Sequence, residues 1–223
     1  MGTITDGKLF YEIKWKQAYV CGLANPATKN VHVSSKIGEA PVVGIGKHAF
    51  QNSDIESVTL PDSVTIIEDE AFANCKKLTA VVQKTNKNVM TVSIYGCAFM
   101  NCENLQQLQL NGSLLLTGHS AFEGCKKLQQ IPQVASISSF SRAFIDCELL
   151  ENVDIEGKAR PYFYKDAFQN CIRLKTFHFL CPVEIPEHLL EDFRDATFWI
   201  MDNSTGMLDL FHFGYDIRLE IWV

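Results

Sequence analysis

The sequences IEDEAFANCKKL at residues 67–78 and IYGCAFMNCENL at residues 94–105 carry the pattern that decides the fold. They share an Ile, an Ala-Phe pair four residues later, an Asn-Cys pair, and a Leu three residues after the Cys. The Ala-Phe pair occurs six times, and successive copies are 22, 27, 23, 22 and 24 residues apart. Such self-similarity at a nearly fixed period indicates a repeat architecture. The six pairs are Ala49-Phe50, Ala71-Phe72, Ala98-Phe99, Ala121-Phe122, Ala143-Phe144 and Ala167-Phe168.

The residues after each Ala-Phe pair predict how one repeat folds. Apolar anchors such as Leu105, Leu108 and Leu110 end in an apolar-polar-apolar alternation, which suits a short strand with one buried face. A period of 20–29 residues with such anchors is typical of leucine-rich repeats, in which stacked units share one core. The sequence therefore predicts a β-rich repeat solenoid, an α/β leucine-rich-repeat superhelix. Its parallel sheet comes from about six repeats of 22–27 residues.

Apolar segments before the Ala-Phe pairs predict a second strand on the opposite side of the coil. Residues 63–67 and 92–94 are examples. The fourth to sixth repeats keep this element poorly, because Thr117, Ser139 and Phe163 stand where earlier repeats have Ile.

Both ends of the chain differ from the repeats, as exposed coil faces require. Residues 1–44 predict an N-terminal cap of short antiparallel strands at 9–13, 18–21 and 31–33. Residues 45–180 hold the six repeats. Residues 181–223 predict a C-terminal cap with a short helix through Met207, Leu208, Leu210 and Phe211 and a final strand at 219–223. No Pro/Gly/Ser-rich linker separates these parts, so residues 1–223 are predicted to form a single domain.

The repeat motif resembles that of the BspA-like leucine-rich-repeat family. The resemblance also rests on LPDSVTII at residues 60–67, on the opening segments 6–11 and 40–46, and on the closing segment 196–200. It implies a non-catalytic, surface-exposed or secreted protein of the kind found in host-associated bacteria and some protozoa. Some members of this family are adhesins for host matrix glycoproteins. The resemblance supplies no catalytic motif.

Charge and segment composition exclude several classes of protein. The chain has 20 basic and 26 acidic side chains, a net charge of −6, which disfavours tracking of a nucleic-acid backbone and docking on an anionic membrane. No apolar run approaches the roughly 20 residues of a membrane helix. The first residues also lack the basic start and apolar stretch of a signal peptide. Two expectations remain open: a cytoplasmic protein, or an extracellular or cell-surface protein whose signal or anchor is absent here.

The eight cysteines are predicted to serve packing rather than chemistry. Five of them occupy one repeat position, and no Cys-x-x-Cys pair typical of zinc sites occurs. A buried thiol is a compact apolar filler, although cysteines stacked on adjacent coils leave disulfides open. Cys21, Cys97 and Cys181 lie off this position and are predicted to be the more reactive thiols. No metal site, cofactor or catalytic cluster is predicted, so an enzyme is not expected.

The exposed face of the anchor strands is the predicted binding surface. Strand alternation places small polar side chains there, and such groups hydrogen-bond extended peptide or glycan without steering highly charged partners. The secondary candidates are the aromatic residues Tyr162 and Tyr164, and the loop of residues 84–91. The predicted face consists of Ser57, Thr59, Gln107, Gln109, Gln130, Asn152, Asp154, Thr176 and His178.

The repeat architecture predicts a non-catalytic protein-interaction module, and the family resemblance implies that it is cell-surface or secreted and adhesive to host proteins such as matrix glycoproteins. The alternative is a carbohydrate-binding surface protein, in which exposed aromatics beside amide side chains would stack sugars. The expected partner is a protein or a glycan and not a nucleic acid, with no membrane insertion by this segment. The sequence gives no oligomeric state.

Overall fold

The structure is a computed structural model that describes residues 2–84, 91–137, 141–156, 163–179, 185–193, 195–201 and 218–222. The chain forms a β-solenoid of about seven turns with mostly parallel strands, which confirms the predicted fold class. In chain order, the described elements are β1 (Thr3–Thr5), β2 (Leu9–Lys14), β3 (Gln17–Leu23), β4 (Asn30–His32), β5 (Lys36–Ile37), β6 (Ala40–Ile45), β7 (Ser57–Leu60), β8 (Ile66–Ile67), β9 (Ala80–Gln83), β10 (Thr91–Ile94), β11 (Gln107–Gln109), β12 (Ser113–Leu116), β13 (Val134–Ile137), β14 (Asn152–Ile155), β15 (Thr176–Phe179), α1 (Glu187–Asp192), β16 (Thr197–Met201) and β17 (Arg218–Trp222).

The strands of the described residues form two sheets. The smaller sheet has the order β11-β9-β7-β4, and all of its neighbours are parallel. The larger sheet starts with the antiparallel strands β1, β2 and β3 and continues in parallel through β6, β8, β10, β12 and β13. It then passes into β14, β15, β16 and β17, while β5 pairs with β6.

The N-terminal cap differs from the prediction in one strand. The antiparallel pairing of β2 with β3 confirms the strands predicted at 9–13 and 18–21. The strand predicted at 31–33 is not antiparallel, however, because β4 pairs in parallel with β7 and so begins the smaller sheet. Val31 and Val33 are buried. Their apolar side chains are thus placed as in an anchor strand.

The anchor strands of the first three repeats, β7, β9 and β11, lie in the smaller sheet, whereas those of the last two repeats, β14 and β15, lie in the larger sheet. The change occurs at the fourth repeat. Residues 128–133 form no strand, and the larger sheet reaches β14 through one register pair, Val134 with Ile155. Pro132 lies in this segment, and a proline has no N–H to donate to a ladder. The second strand also differs from the expectation, since β12 and β13 exist in the fourth and fifth repeats. Leu114 and Leu116 supply the buried face just before Thr117.

Each Ala-Phe-x-Asn-Cys segment is a tight turn, as predicted, and its Phe rings form one continuous stack. The ring centroids of successive repeats are 5.0–5.6 Å apart, from Phe50 to Phe168. Backbone N–H groups join the turns as well, since Phe72 donates to the Ala98 carbonyl at 2.8 Å. The coils are therefore bonded to one another at the turns as well as in the sheets.

The repeated Cys has a role that its packing volume alone does not show. The thiol of each repeated Cys donates a hydrogen bond to the Phe carbonyl of the preceding coil, as Cys125 does to Phe99 at 3.2 Å. Burial raises the pKa of the Cys125 thiol well above its ordinary value. All seven cysteines in the described part of the chain are free, which leaves no disulfide among them. Equivalent bonds join Cys75 to Phe50, Cys102 to Phe72, Cys147 to Phe122 and Cys171 to Phe144.

The residue before each repeated Cys, or before Ser53 in the first repeat, has left-handed backbone, which explains the residue types found there. Only Asn, Asp and Gly occupy this position, and they tolerate positive φ best. The asparagines also bond to one another between coils, as Asn101 Nδ2 donates to Asn74 Oδ1 at 2.9 Å. The φ values are 60° for Asn52 and Asn74, 59° for Asn101, 76° for Gly124, 58° for Asp146 and 61° for Asn170.

Gln83 replaces the apolar anchor at the end of β9 and is only 1% exposed. Its amide nitrogen donates to the carbonyls of Pro61 at 3.0 Å and Val64 at 2.7 Å. Its oxygen accepts from the backbone N–H of Asn111 at 2.9 Å. One buried amide thus joins the corners of three successive coils.

The C-terminal part of the described chain extends the sheet. β16 pairs with β15, and β17 pairs with β16, which confirms the predicted final strand. The helix α1 was not predicted, and the helix expected around Met207 to Phe211 lies outside the described residues. No helix in the described ranges is long and apolar enough to cross a membrane.

Candidate binding groove

Five of the nine predicted face residues lie together in a groove of about 420 Å³. The groove is formed by β14, β15 and the segment of residues 128–133 beside them. Glu151 N–H donates to the Gln129 carbonyl at 3.2 Å, which holds this segment next to the start of β14. The side chains that line the groove are Gln130, Ile131, Asn152, Asp154, Thr176 and His178.

Strand alternation positions the polar groups of the groove. In the β14–β15 register, Asn152 is opposite Thr176 and Asp154 is opposite His178. The alternating residues of both strands, such as Val153 and Phe177, are fully buried. A one-residue slip would bury the polar set and expose these anchors, so the register is strongly specified.

A histidine and a carboxylate face each other in this groove. His178 Nδ1 and Asp154 Oδ1 are 2.5 Å apart, and the two side chains are 32% and 46% exposed. Both retain enough exposure to contact a ligand. The remaining polar groups of the groove are two amides and one hydroxyl, which can donate and accept hydrogen bonds.

The other four predicted face residues lie on the smaller sheet and are not part of the groove. Ser57 and Thr59 belong to β7, and Gln107 and Gln109 belong to β11. Ser57 Oγ donates to Asn30 Oδ1 at 2.6 Å, and the amides of Gln107 and Gln109 are 3.4 Å apart. The structure thus divides the predicted face into two parts, one on each sheet, and the division falls at the fourth repeat.

The secondary candidates are separate from the groove. Tyr164 is 46% exposed and lines another cavity of about 740 Å³, together with Asp166, Phe193 and Asn170. Tyr162 lies outside the described residues, as does most of the loop at 84–91. Tyr164 is therefore not among the residues that line the groove containing Asn152.

The cysteines predicted to be reactive have different surroundings. Cys21 is exposed, whereas Cys181 lies outside the described residues. Cys97 Sγ is 3.7 Å from His119 Nε2, and burial together with nearby carboxylates raises the pKa of its thiol. Within the described ranges, no group of three or more His, Cys, Asp or Glu side chains could hold a metal ion.

Ile131, which gives the groove an apolar patch, was not predicted as a binding residue. The absence of a strand at residues 128–133, which creates the groove, was not predicted either. The available signal was Pro132 at an anchor-strand position, where a proline argues against a central strand.

Comparison with known families assigns the repeats. Residues 82–192 match the BspA type leucine rich repeat region in six copies. The repeats of this chain belong to this family, as their motif had indicated. The family is one of repeat proteins and not of enzymes, and it suggests a protein-interaction module.

Three solved bacterial structures share the fold. A leucine rich cell surface protein of Faecalibacterium prausnitzii is 21% identical over 79% of this chain, with a TM-score of 0.64. A leucine-rich repeat protein of Bacteroides ovatus is 20% identical over 98% of this chain and 67% of its own, with a TM-score of 0.52. The leucine rich repeat protein of T. pallidum is 18% identical over 98% of both chains, with a TM-score of 0.51. The present chain spans 54% of the F. prausnitzii chain. No curated protein matches the sequence.

Proposed function

We propose that this protein is a non-catalytic interaction module that binds an extended segment of a partner protein in the groove of β14 and β15. The observation that carries the proposal is the convergence of Gln130, Asn152, Asp154, Thr176 and His178 in one groove. Amide and hydroxyl groups can pair with the main chain of an extended peptide, while Ile131 offers an apolar contact.

The expected partners follow from the family and from the charge of the groove. Asp154 and His178 face each other, and the other polar side chains of the groove are uncharged, so the groove carries little charge to steer a highly charged partner. We infer a cell-surface or secreted location and adhesion to host proteins, with matrix glycoproteins as the first partners to test. The fold shared with the F. prausnitzii cell surface protein supports this location. Labelling of intact cells with a membrane-impermeant reagent tests it directly, and labelling only after lysis would favour the cytoplasmic alternative.

A carbohydrate ligand is the alternative, and one feature of the groove disfavours it. Sugar sites use exposed aromatic rings as stacking platforms, yet His178 provides the one ring among the described lining residues. Tyr164 lies in the other cavity.

The test is binding of the purified chain to a panel of matrix glycoproteins and to a glycan array at physiological salt. The groove variant Asn152→Lys/Thr176→Lys places two charges in the groove. The matched control Gln107→Lys/Gln109→Lys places the same charges on the smaller sheet. Saturable protein binding lost only in the groove variant supports the proposal. Equal loss in the control moves the site to the smaller sheet, glycan binding alone favours the alternative, and no binding to either panel overturns the adhesion proposal.

A further inference from the structure

Trp15 is held in solvent at the tip of the N-terminal hairpin. It is 95% exposed, the highest value among the large apolar side chains of the described residues. Trp15 and Lys16 form the two-residue connection between β2 and β3, since Lys14 and Gln17 are register partners. Their φ values are 53° and 64°. Two-residue hairpins with positive φ at both positions strongly prefer Asn-Gly, and a bulky side chain is an outlier there.

Neither the preference of aromatic side chains for burial nor the backbone preference of this turn explains a tryptophan at position 15. A tryptophan in water forgoes the burial that favours aromatic side chains, and left-handed backbone adds strain. Outliers of this kind are concentrated at functional positions. Tryptophan is also the residue type most enriched among interface residues that dominate binding. The tip therefore has the properties of an anchor for a partner.

The same chain contains a cavity with complementary properties. The next most exposed large apolar side chains are Ile172 at 79% and Tyr164 at 46%, and both line the cavity of about 740 Å³. Phe168 and Phe193 extend its apolar lining. One contact between tip and cavity would thus cover the three most exposed large apolar side chains of the described residues.

Charges around the two features are also complementary. Lys14 and Lys16 flank the indole, and Lys14 Nζ already lies 2.9 Å from Glu12. Asp166 and Asp192 line the cavity, together with the single cation Lys165. The more available lysine of the tip, Lys16, would therefore meet a rim with more acidic than basic groups.

The tip cannot enter the cavity of its own chain. The hairpin joins the solenoid through β6, which leads into the first Ala-Phe turn, whereas the cavity lies at the sixth. Five steps separate Phe50 from Phe168 in the ring stack. At roughly 5 Å per step they span on the order of 25 Å. Only a second molecule can bring the two features together.

We propose that the Trp15 tip of one molecule inserts into the Ile172 cavity of a second copy of this chain. The contact is heterologous, because it joins two different surfaces, so every open assembly has a free tip at one end and a free cavity at the other. It uses no residue of the β14–β15 groove and stands independently of the interaction proposed there. One aromatic anchor makes a small interface, with Kd on the order of 0.1–1 mM.

Sedimentation velocity of the purified chain from 10 µM to 1 mM (approximate limits chosen to bracket that Kd) tests the contact. Wild-type protein is expected to form dimers and longer species, and Trp15→Ser and Ile172→Lys are each expected to weaken association at least about tenfold. The control Tyr95→Ser removes another exposed aromatic residue, 38% exposed, and should associate like wild type. Circular dichroism confirms that each variant is folded.

Mixing the two defective variants gives the decisive result. Trp15→Ser retains the cavity, and Ile172→Lys retains the tip, so an equimolar mixture should form dimers but no longer species. A charge exchange adds a second readout: Lys16→Glu should weaken association, and Asp192→Lys in the same chain should restore it. A wild-type chain that stays monomeric at 1 mM, unchanged association of Trp15→Ser, or a mixture without dimers would each overturn the proposal.

Discussion

Replacing Phe99 with Leu is expected to destabilise the solenoid by roughly 1–3 kcal/mol through lost ring contacts. The Phe99 ring is fully buried, and its centroid lies 5.0 Å from that of Phe72 and 5.3 Å from that of Phe122. The rings are nearly parallel, with interplanar angles of 8° and 5°. Each such contact contributes about 0.5–1.5 kcal/mol beyond area burial. Leu retains most of the apolar volume, so the remaining cavity is smaller than Ala would leave.

Phe50→Leu is the matched control. Phe50 is equally buried at 1% exposure but begins the ring stack, 5.3 Å from Phe72. Its replacement removes one stacked contact of the Ala-Phe series instead of two. We therefore expect a loss of roughly 0.5–1.5 kcal/mol, about half that of Phe99→Leu.

Urea unfolding followed by far-UV circular dichroism and by tryptophan fluorescence measures both losses. Repeat proteins can unfold in parts, so coincident curves from the two probes are needed before one free energy of unfolding is extracted. Equal losses for the two variants, within about 0.3 kcal/mol, would refute the stacking argument and assign the effect to side-chain volume alone.

Three further results are expected from other parts of the structure. Native protein treated with a thiol reagent should be modified first at exposed Cys21, whereas Cys125 should react only after unfolding, as peptide mass spectrometry will show. Gln83→Leu should lower the free energy of unfolding in urea by about 2–4 kcal/mol, because buried backbone groups lose their partners. Asp6 has a lowered pKa: burial raises it, but hydrogen bonds from two backbone N–H groups and a tyrosine hydroxyl outweigh that effect. This carboxylate stabilises the fold above about pH 4 and the contribution is lost as pH falls through the lowered pKa, so Asp6→Asn should weaken the acid dependence of urea stability between about pH 2 and 5.

The repeat, the buried positions and the second strand of the early repeats were predictable because each is a local periodic signal. The spacing of Ala71-Phe72 and Cys75 repeats in the sequence, and the same residues are buried in the structure. The parallel direction of β4 could not be predicted from its residues, because Val31 and Val33 fit a parallel or an antiparallel strand equally well. Only the path of the preceding chain decides between the two directions.

Strand alternation gives the residues of the predicted face, but not the division of that face between two sheets. Strand alternation predicts that Asn152 and His178 lie on the same side of their strands, and both line the groove of β14 and β15. The groove depends on the absence of a strand at residues 128–133 of the fourth repeat. That absence results from Pro132 and from packing between coils. The exposure of Trp15 and Ile172 has no sequence signal, because the fold around a single apolar residue determines whether it is exposed.

The bonds between turns have a consequence for a protein under tension. Hydrogen bonds from Phe72 to Ala98 and from Phe99 to Ala121 run from coil to coil, as the sheet ladders do. Force applied between the two ends is therefore carried by successive coil interfaces in series, and the weakest interface opens first. Each opened coil releases 22–27 residues, or about 75–95 Å of extended chain. Under flow, such a molecule would lengthen in steps and limit the force on whatever it holds.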